Sequence, residues 1–124
     1  MINPAELQAN QLRIGNWINN GGGFPIQVTA QRIADIENKL CIVSPIPLTE
    51  EILLKAGFVK EVYYDASWLQ KDFPVIGELC TSDKQHPLGN FLFDMNTDTL
   101  KIHYLHQLQN LYFALTGEEL NINL

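Results

Sequence analysis

From Phe58 to Tyr104 the apolar residues recur at about every second position, and a helical segment closed by a glycine flanks this tract on each side: LTEEILLKAGF before it and HQLQNLYFALTGEEL after it. A period of two marks strands with one buried face, and a period near 3.6 marks an amphipathic helix. Because the alternating runs follow one another with only turn-forming residues between them, they predict an antiparallel sheet rather than strand–helix–strand units. The expected class is therefore α+β. A length of 124 residues suits one domain with a single core.

The first helix is predicted over 50–56. Thr49 is a fitting N-cap, and Glu50 and Glu51 place negative charge in the first turn, where the helix dipole favours it. Leu48 can staple onto Leu53, and Gly57 suits the left-handed position after the helix, with Phe58 folding back on Leu53. The run FVKEVYY should pair with part of SWLQKDFPVIGELCTS, bent at Pro74 and Gly77. DKQHPLGN reads as a loop. Phe91 and Phe93 should share a face with Leu100, Ile102 and Tyr104 in a further hairpin. The sheet and its covering helix together occupy about 58–124.

In the last helix Leu105, Leu108, Leu111, Tyr112 and Leu115 fall on one side at 100° per residue, and Gly117 ends the run. Off that stripe stand His106, Gln109, Asn110 and Phe113. Amides tolerate partial burial far better than charges do. The helix is therefore expected to be sandwiched, with the sheet on one side and a more polar contact on the other, either the N-terminal β unit or another subunit. These four residues are the candidate interaction surface. Beyond Gly117, LNINL alternates as a terminal strand or an apolar tail would.

Ahead of the first helix, LRIGNWI places Leu12, Ile14 and Ile18 on one side, and FPIQVTA does the same for Ile26, Val28 and Ala30; the glycines of NNGGGF lie between. This predicts a hairpin. A phosphate-cradling loop would need a helix N-terminus directly after the glycines, whereas Pro25 begins a strand pattern. RIADIENKLCIVSPIPL reads as a second hairpin, with Ile33 and Ile36 in one strand, Glu37–Lys39 in the turn and Leu40–Val43 returning; Pro45 and Pro47 end it. Residues 11–47 are thus expected to form an SH3-like β unit.

The charge balance narrows the function. The formal net charge is −6, and the eight basic residues, Arg13, Arg32, Lys39, Lys55, Lys60, Lys71, Lys84 and Lys101, form no cluster. Duplex nucleic acid is bound mainly by neutralising phosphates, so no such partner is expected. No apolar run approaches the roughly 20 residues of a membrane span, and MINPAELQANQLRIG lacks the basic and apolar regions of a signal peptide. The expectation is a cytoplasmic protein without membrane contact. Cys41 and Cys80 lie in apolar runs and read as small hydrophobes rather than a disulfide.

His103 and His106 have H-x-x-H spacing, but no third ligand stands at a motif distance, so they read as two ordinary, partly exposed histidines. No nucleophile-elbow, phosphate-loop, zinc-finger or dinucleotide pattern occurs. No catalytic residue, metal or cofactor is expected. The leading expectation is a non-enzymatic binding or adaptor protein, acting through a protein partner or self-association. The alternative is a small-ligand binder or small enzyme with a pocket near His86, His103 and Trp68.

Three segments, LRIGNW, PIPLTEEILLKAGF and HQLQNLYFALTGEEL, resemble those of a family of small uncharacterised proteins from Bacteroidetes and their phages or mobile elements. They cover about a third of the chain, and the last is the most specific. The resemblance implies an accessory role in a bacterial cytosol, and it carries no catalytic residue with it.

Overall fold

The computed structural model describes residues 6–73, 77–82, 91–95 and 98–124. The chain is α+β and divides into two compact units. The N-terminal unit runs to Pro47 and includes Tyr104–Asn110; the C-terminal unit comprises Leu48–His103 and Leu111–Leu124.

In the N-terminal unit a single 3-10 turn, Ala9–Gln11, precedes strands β1 (Trp17–Asn19) and β2 (Pro25–Gln27). These strands pair antiparallel with Ile18 opposite Ile26. The glycine-rich tip is closed from within. The side-chain oxygen of Asn20 accepts from the N–H groups of Gly22 and Phe24, and the Asn20 N–H donates to the Phe24 carbonyl. Amides that would have to face a phosphate are thereby already engaged.

The expected second hairpin is absent. Residues Ala30–Glu37 form helix α1, with Thr29 Oγ1 accepting from the Arg32 N–H at 3.1 Å as N-cap. Ile33 and Ile36, three residues apart, share a helical face as readily as they would alternate in a strand. What concealed the helix is its stop. The Lys39 N–H bonds to the Ile36 carbonyl and the Leu40 N–H to the Asp35 carbonyl, the double bond of a Schellman ending. The left-handed residue within it is Lys39, at φ 59°, not a glycine. The SH3-like expectation therefore fails. The described strands of this unit are only two, each of three residues, accompanied by isolated bridges at Asn19–Ser44 and Pro47–Tyr104. The core gathers Leu7, Ala9, Ile18, Val28, Ile36 and Val43.

The C-terminal unit follows the sequence in its helices and in the pairing of its first and last strands, while the run expected to bend at Pro74 and Gly77 is two strands, Ala66–Phe73 and Gly77–Ser82, paired antiparallel with each other. Helix α2 spans Glu50–Lys55, capped by Thr49 Oγ1, which accepts from the Ile52 N–H. Its end is a full Schellman motif: the Phe58 N–H bonds to the Leu53 carbonyl, the Gly57 N–H bonds to the Leu54 carbonyl, and Gly57 sits at φ 94°. Leu53 and Phe58 are both buried, as the hydrophobic contact of that motif requires.

Five antiparallel strands follow in meander order: β3 (Val59–Tyr63), β4 (Ala66–Phe73), β5 (Gly77–Ser82), β6 (Phe91–Met95) and β7 (Asp98–Ile102). The β6–β7 register sets Phe91 opposite Ile102 and Phe93 opposite Leu100, as their alternation predicts. Tyr104 lies past the strand, bridged to Pro47.

Helix α3, Leu105–Thr116, covers the sheet. Lys71 on β4 holds its ammonium 5.7 Å from the centre of the Tyr112 ring. The helix ends as predicted, with Gly117 at φ 74° and its N–H bonded to the Phe113 carbonyl. Leu120 and Ile122 are buried while Asn121 and Asn123 are exposed. The alternating tail thus packs by its apolar residues without forming a strand.

Candidate functional site

The amide face of the last helix is occupied within the N-terminal unit. Arg13–Asn16 form a tight turn, the Asn16 N–H bonding to the Arg13 carbonyl, with Gly15 at φ 97° in the third place, a conformation that glycine adopts without strain. LRIGNW is therefore a turn leading into β1 rather than a continuous strand, and Ile14 points to solvent. This turn leaves backbone groups without ladder partners, and Gln109 supplies them. Its Oε1 accepts from the Trp17 N–H at 2.7 Å, and its Nε2 donates to the Gly15 carbonyl at 3.2 Å. Asn16, fully buried, accepts at Oδ1 from the Arg13 N–H at 2.7 Å and donates from Nδ2 to Asn110 Oδ1 at 2.8 Å.

Of the four residues expected to form an interaction surface, Gln109 and Asn110 serve as internal struts. Gln109 is 2% exposed and Asn110 half-buried, while Phe113 is 39% exposed. His106, expected to be partly exposed, is buried and stacks on Tyr104 with ring centroids 5.9 Å apart. Its Nδ1 has no hydrogen-bond partner among the described residues, and burial pulls its pKa from 6.5 down to about 4. The imidazole is therefore neutral at pH 7.

A different surface carries the exposed apolar groups. Strand β3 stands at one end of the sheet order. Its register with β4 pairs Tyr63 with Ala66, so the loop between the strands is Tyr64–Asp65 alone. Residues flanking a two-residue turn form a hydrogen-bonded pair, and such pairs alternate along the ladder. Tyr63, Glu61 and Val59 therefore aim their backbone groups at β4, whereas Val62 aims its own at the open edge. Side chains on both faces are exposed: Val59 and Tyr63 on one, Val62 at 67% on the other, with Tyr64 at 86% on the turn. Tyr63 and Tyr64 contact edge to face at 4.5 Å. The Lys60 ammonium is held 3.1 Å from Glu50 on α2. Strand edges in monomeric proteins are ordinarily blunted by charge or covered. Here the one cation is neutralised and the rest is valine and tyrosine beside Glu61. Strand alternation makes core the default expectation for such aromatic residues, but β3 lies at the edge rather than the centre of the sheet, and Tyr63 and Tyr64 are exposed.

Two hollows are less informative. One, of about 530 Å³ in the N-terminal unit, is lined in part by Glu6, Ile36, Glu37, Lys39 and Cys41. Its lining sets the Cys41 thiol among carboxylates and an ammonium, with no histidine. The other, of about 300 Å³, lies along Val59, Glu61, Gln70 and Lys71 in the C-terminal unit. His86 lies outside the described residues. His103 is half-buried between β7 and α3, and the Trp68 indole N–H donates to Gln70 Oε1 at 2.8 Å. Cys41 and Cys80 are half-buried thiols that form no disulfide. Among the described residues no three His, Cys, Asp or Glu side chains are grouped to hold a metal ion, and no helix is long and apolar enough to cross a membrane.

Comparison with protein-family models, curated proteins and solved structures returns no match.

Proposed function

We propose that this chain is a non-enzymatic binding protein that acts through protein–protein contact, with the β3 edge as its contact surface. The observation that carries the reading is the open edge bearing Val59, Val62, Tyr63 and Tyr64 together, all exposed. An edge strand offers main-chain hydrogen bonds to an incoming extended segment, and exposed valine and tyrosine add the apolar area that makes such an addition stable. Tyrosine suits this role because its rigid ring buries a large area at small entropic cost and keeps a polar end. The resemblance of the three sequence segments supports placing the activity in a bacterial cytoplasm as an accessory of a phage or mobile element.

A photocrosslinking amino acid placed at position 64 and, separately, at exposed Gln31 on α1 tests the reading in cells of the native host. The expected result is a covalent protein adduct from position 64 and none from position 31. No adduct at position 64, or equal yields at both, would defeat it.

A further inference from the structure

We infer that the partner seated on the β3 edge is a second copy of this chain, paired antiparallel to it about Val62. The inference rests on the reading of β3 as a contact surface and adds the identity of what covers it. In a symmetric antiparallel pair a strand must meet its copy with edge-facing residues opposite edge-facing residues. Within Val59–Tyr63 the alternation set by the Tyr64–Asp65 turn requires an axis at a whole residue, and only axes at residues 60, 61 and 62 pair three or more residues of the strand with its copy.

Charge separates them. A pair centred on residue 60 sets Lys60 against its own copy, and a pair centred on residue 61 does the same to Glu61. Like charges directly opposite one another across a ladder are destabilising. A pair centred on residue 62 places Val62 against Val62, Glu61 across from the copy's Tyr63, and Lys60 across from the copy's Tyr64. No like charges meet. A tyrosine hydroxyl can donate to the carboxylate, and a tyrosine ring can receive the ammonium. The Glu50 carboxylate already 3.1 Å from Lys60 balances that ammonium, so bringing two copies together adds no uncompensated cation at the edge. The same pairing covers Val62, the most exposed apolar residue within the strand, and it uses the backbone groups that Val62 turns away from β4.

Sedimentation of the full chain from low micromolar to several hundred micromolar tests this, with Val62→Lys, Tyr64→Asn and Glu61→Gln compared and a denaturant melt confirming that each variant is folded. The parent should dimerise reversibly. Val62→Lys should weaken dimerisation at least tenfold by setting two lysines against each other. Tyr64 already sits at φ 58°, which asparagine accommodates, so Tyr64→Asn should weaken the dimer several-fold without loss of fold. Glu61→Gln should leave the dimer constant within about twofold, because Glu61 does not face its copy. A parent that stays monomeric throughout, or a dimer indifferent to Val62→Lys, overturns the proposal. A tenfold tightening by Glu61→Gln also overturns it, since it would place the axis at residue 61. If the parent is monomeric yet position 64 crosslinks to a protein of another mass, self-pairing fails while the contact reading stands; with no adduct, both fail.

Discussion

The two units solve one problem in opposite ways. Every buried backbone N–H and carbonyl needs a partner. The C-terminal unit provides partners by repetition, since its five-strand ladder satisfies them in register and Leu53, Phe58, Leu69 and Ile102 form an ordinary apolar interior. The N-terminal unit has three-residue strands and a turn where a longer ladder would be, and there side-chain amides stand in for missing strands. Asn16, Gln109 and Asn20 each hold the backbone in place. A unit built on amides depends on a few directional contacts, and one built on a ladder spreads its stability over many.

That contrast can be broken most sharply at Gln109. Gln109→Leu keeps the side chain's approximate volume but removes the acceptor of the Trp17 N–H and one of two donors to the Gly15 carbonyl, which keeps Gln27 Nε2 at 3.4 Å, and should cost about 3 kcal/mol. Gln107 is the control. It is exposed, and its Oε1 accepts from the Tyr104 N–H at the helix start, so Gln107→Ala should cost about 1 kcal/mol. Equal costs in denaturant melts would show that the buried amide does no more than an exposed cap.

In the C-terminal unit the corresponding blow is loss of volume. Leu69 on β4 is fully buried, and Leu69→Ala should cost about 3 kcal/mol through lost burial and a residual cavity. A cost under about 1 kcal/mol would mean that the ladder collapses around the gap more readily than a packed core does.

The polar interior of the N-terminal unit should also respond to acid. His106 takes up its proton near pH 4 when folded and near 6.5 when unfolded, so the unfolded chain binds the proton first as pH falls. This group's contribution is complete above about pH 6.5, declines as pH falls toward 4, and changes no further below that. Between about pH 7 and pH 5 it should amount to about 2 kcal/mol. His106→Phe preserves a ring to stack on Tyr104 and cannot titrate, so its stability should fall by that much less over the same interval. Parallel pH curves for the two proteins would refute the assignment.

The smallest effect tests the helix stop that the sequence concealed. Lys39→Gly removes a side chain from a left-handed position on the surface and should raise stability by about 1 kcal/mol. The same exchange at Asn38, whose φ is −87°, should bring no gain.

The sequence by itself determined whatever depends on neighbours along the chain. Thr49, Gly57 and Gly117 marked their helix ends, alternation marked β3, β6 and β7, and the β6–β7 register was legible from Phe91 and Phe93, whereas the pairing of β4 with β5 was not. It failed at α1, where Ile33 and Ile36 fit either period and Lys39 occupies the place that glycine usually marks. The amide face of the last helix was visible as unusual; what it meets, the Arg13–Trp17 turn more than ninety residues away, was settled by long-range hydrogen bonds. Likewise the alternation of Val59 to Tyr63 declared a strand but not its place in the sheet. Periodicity encodes which way a side chain points relative to its own backbone, whereas exposure depends on whether another strand lies alongside, and that is decided only when the chain closes on itself.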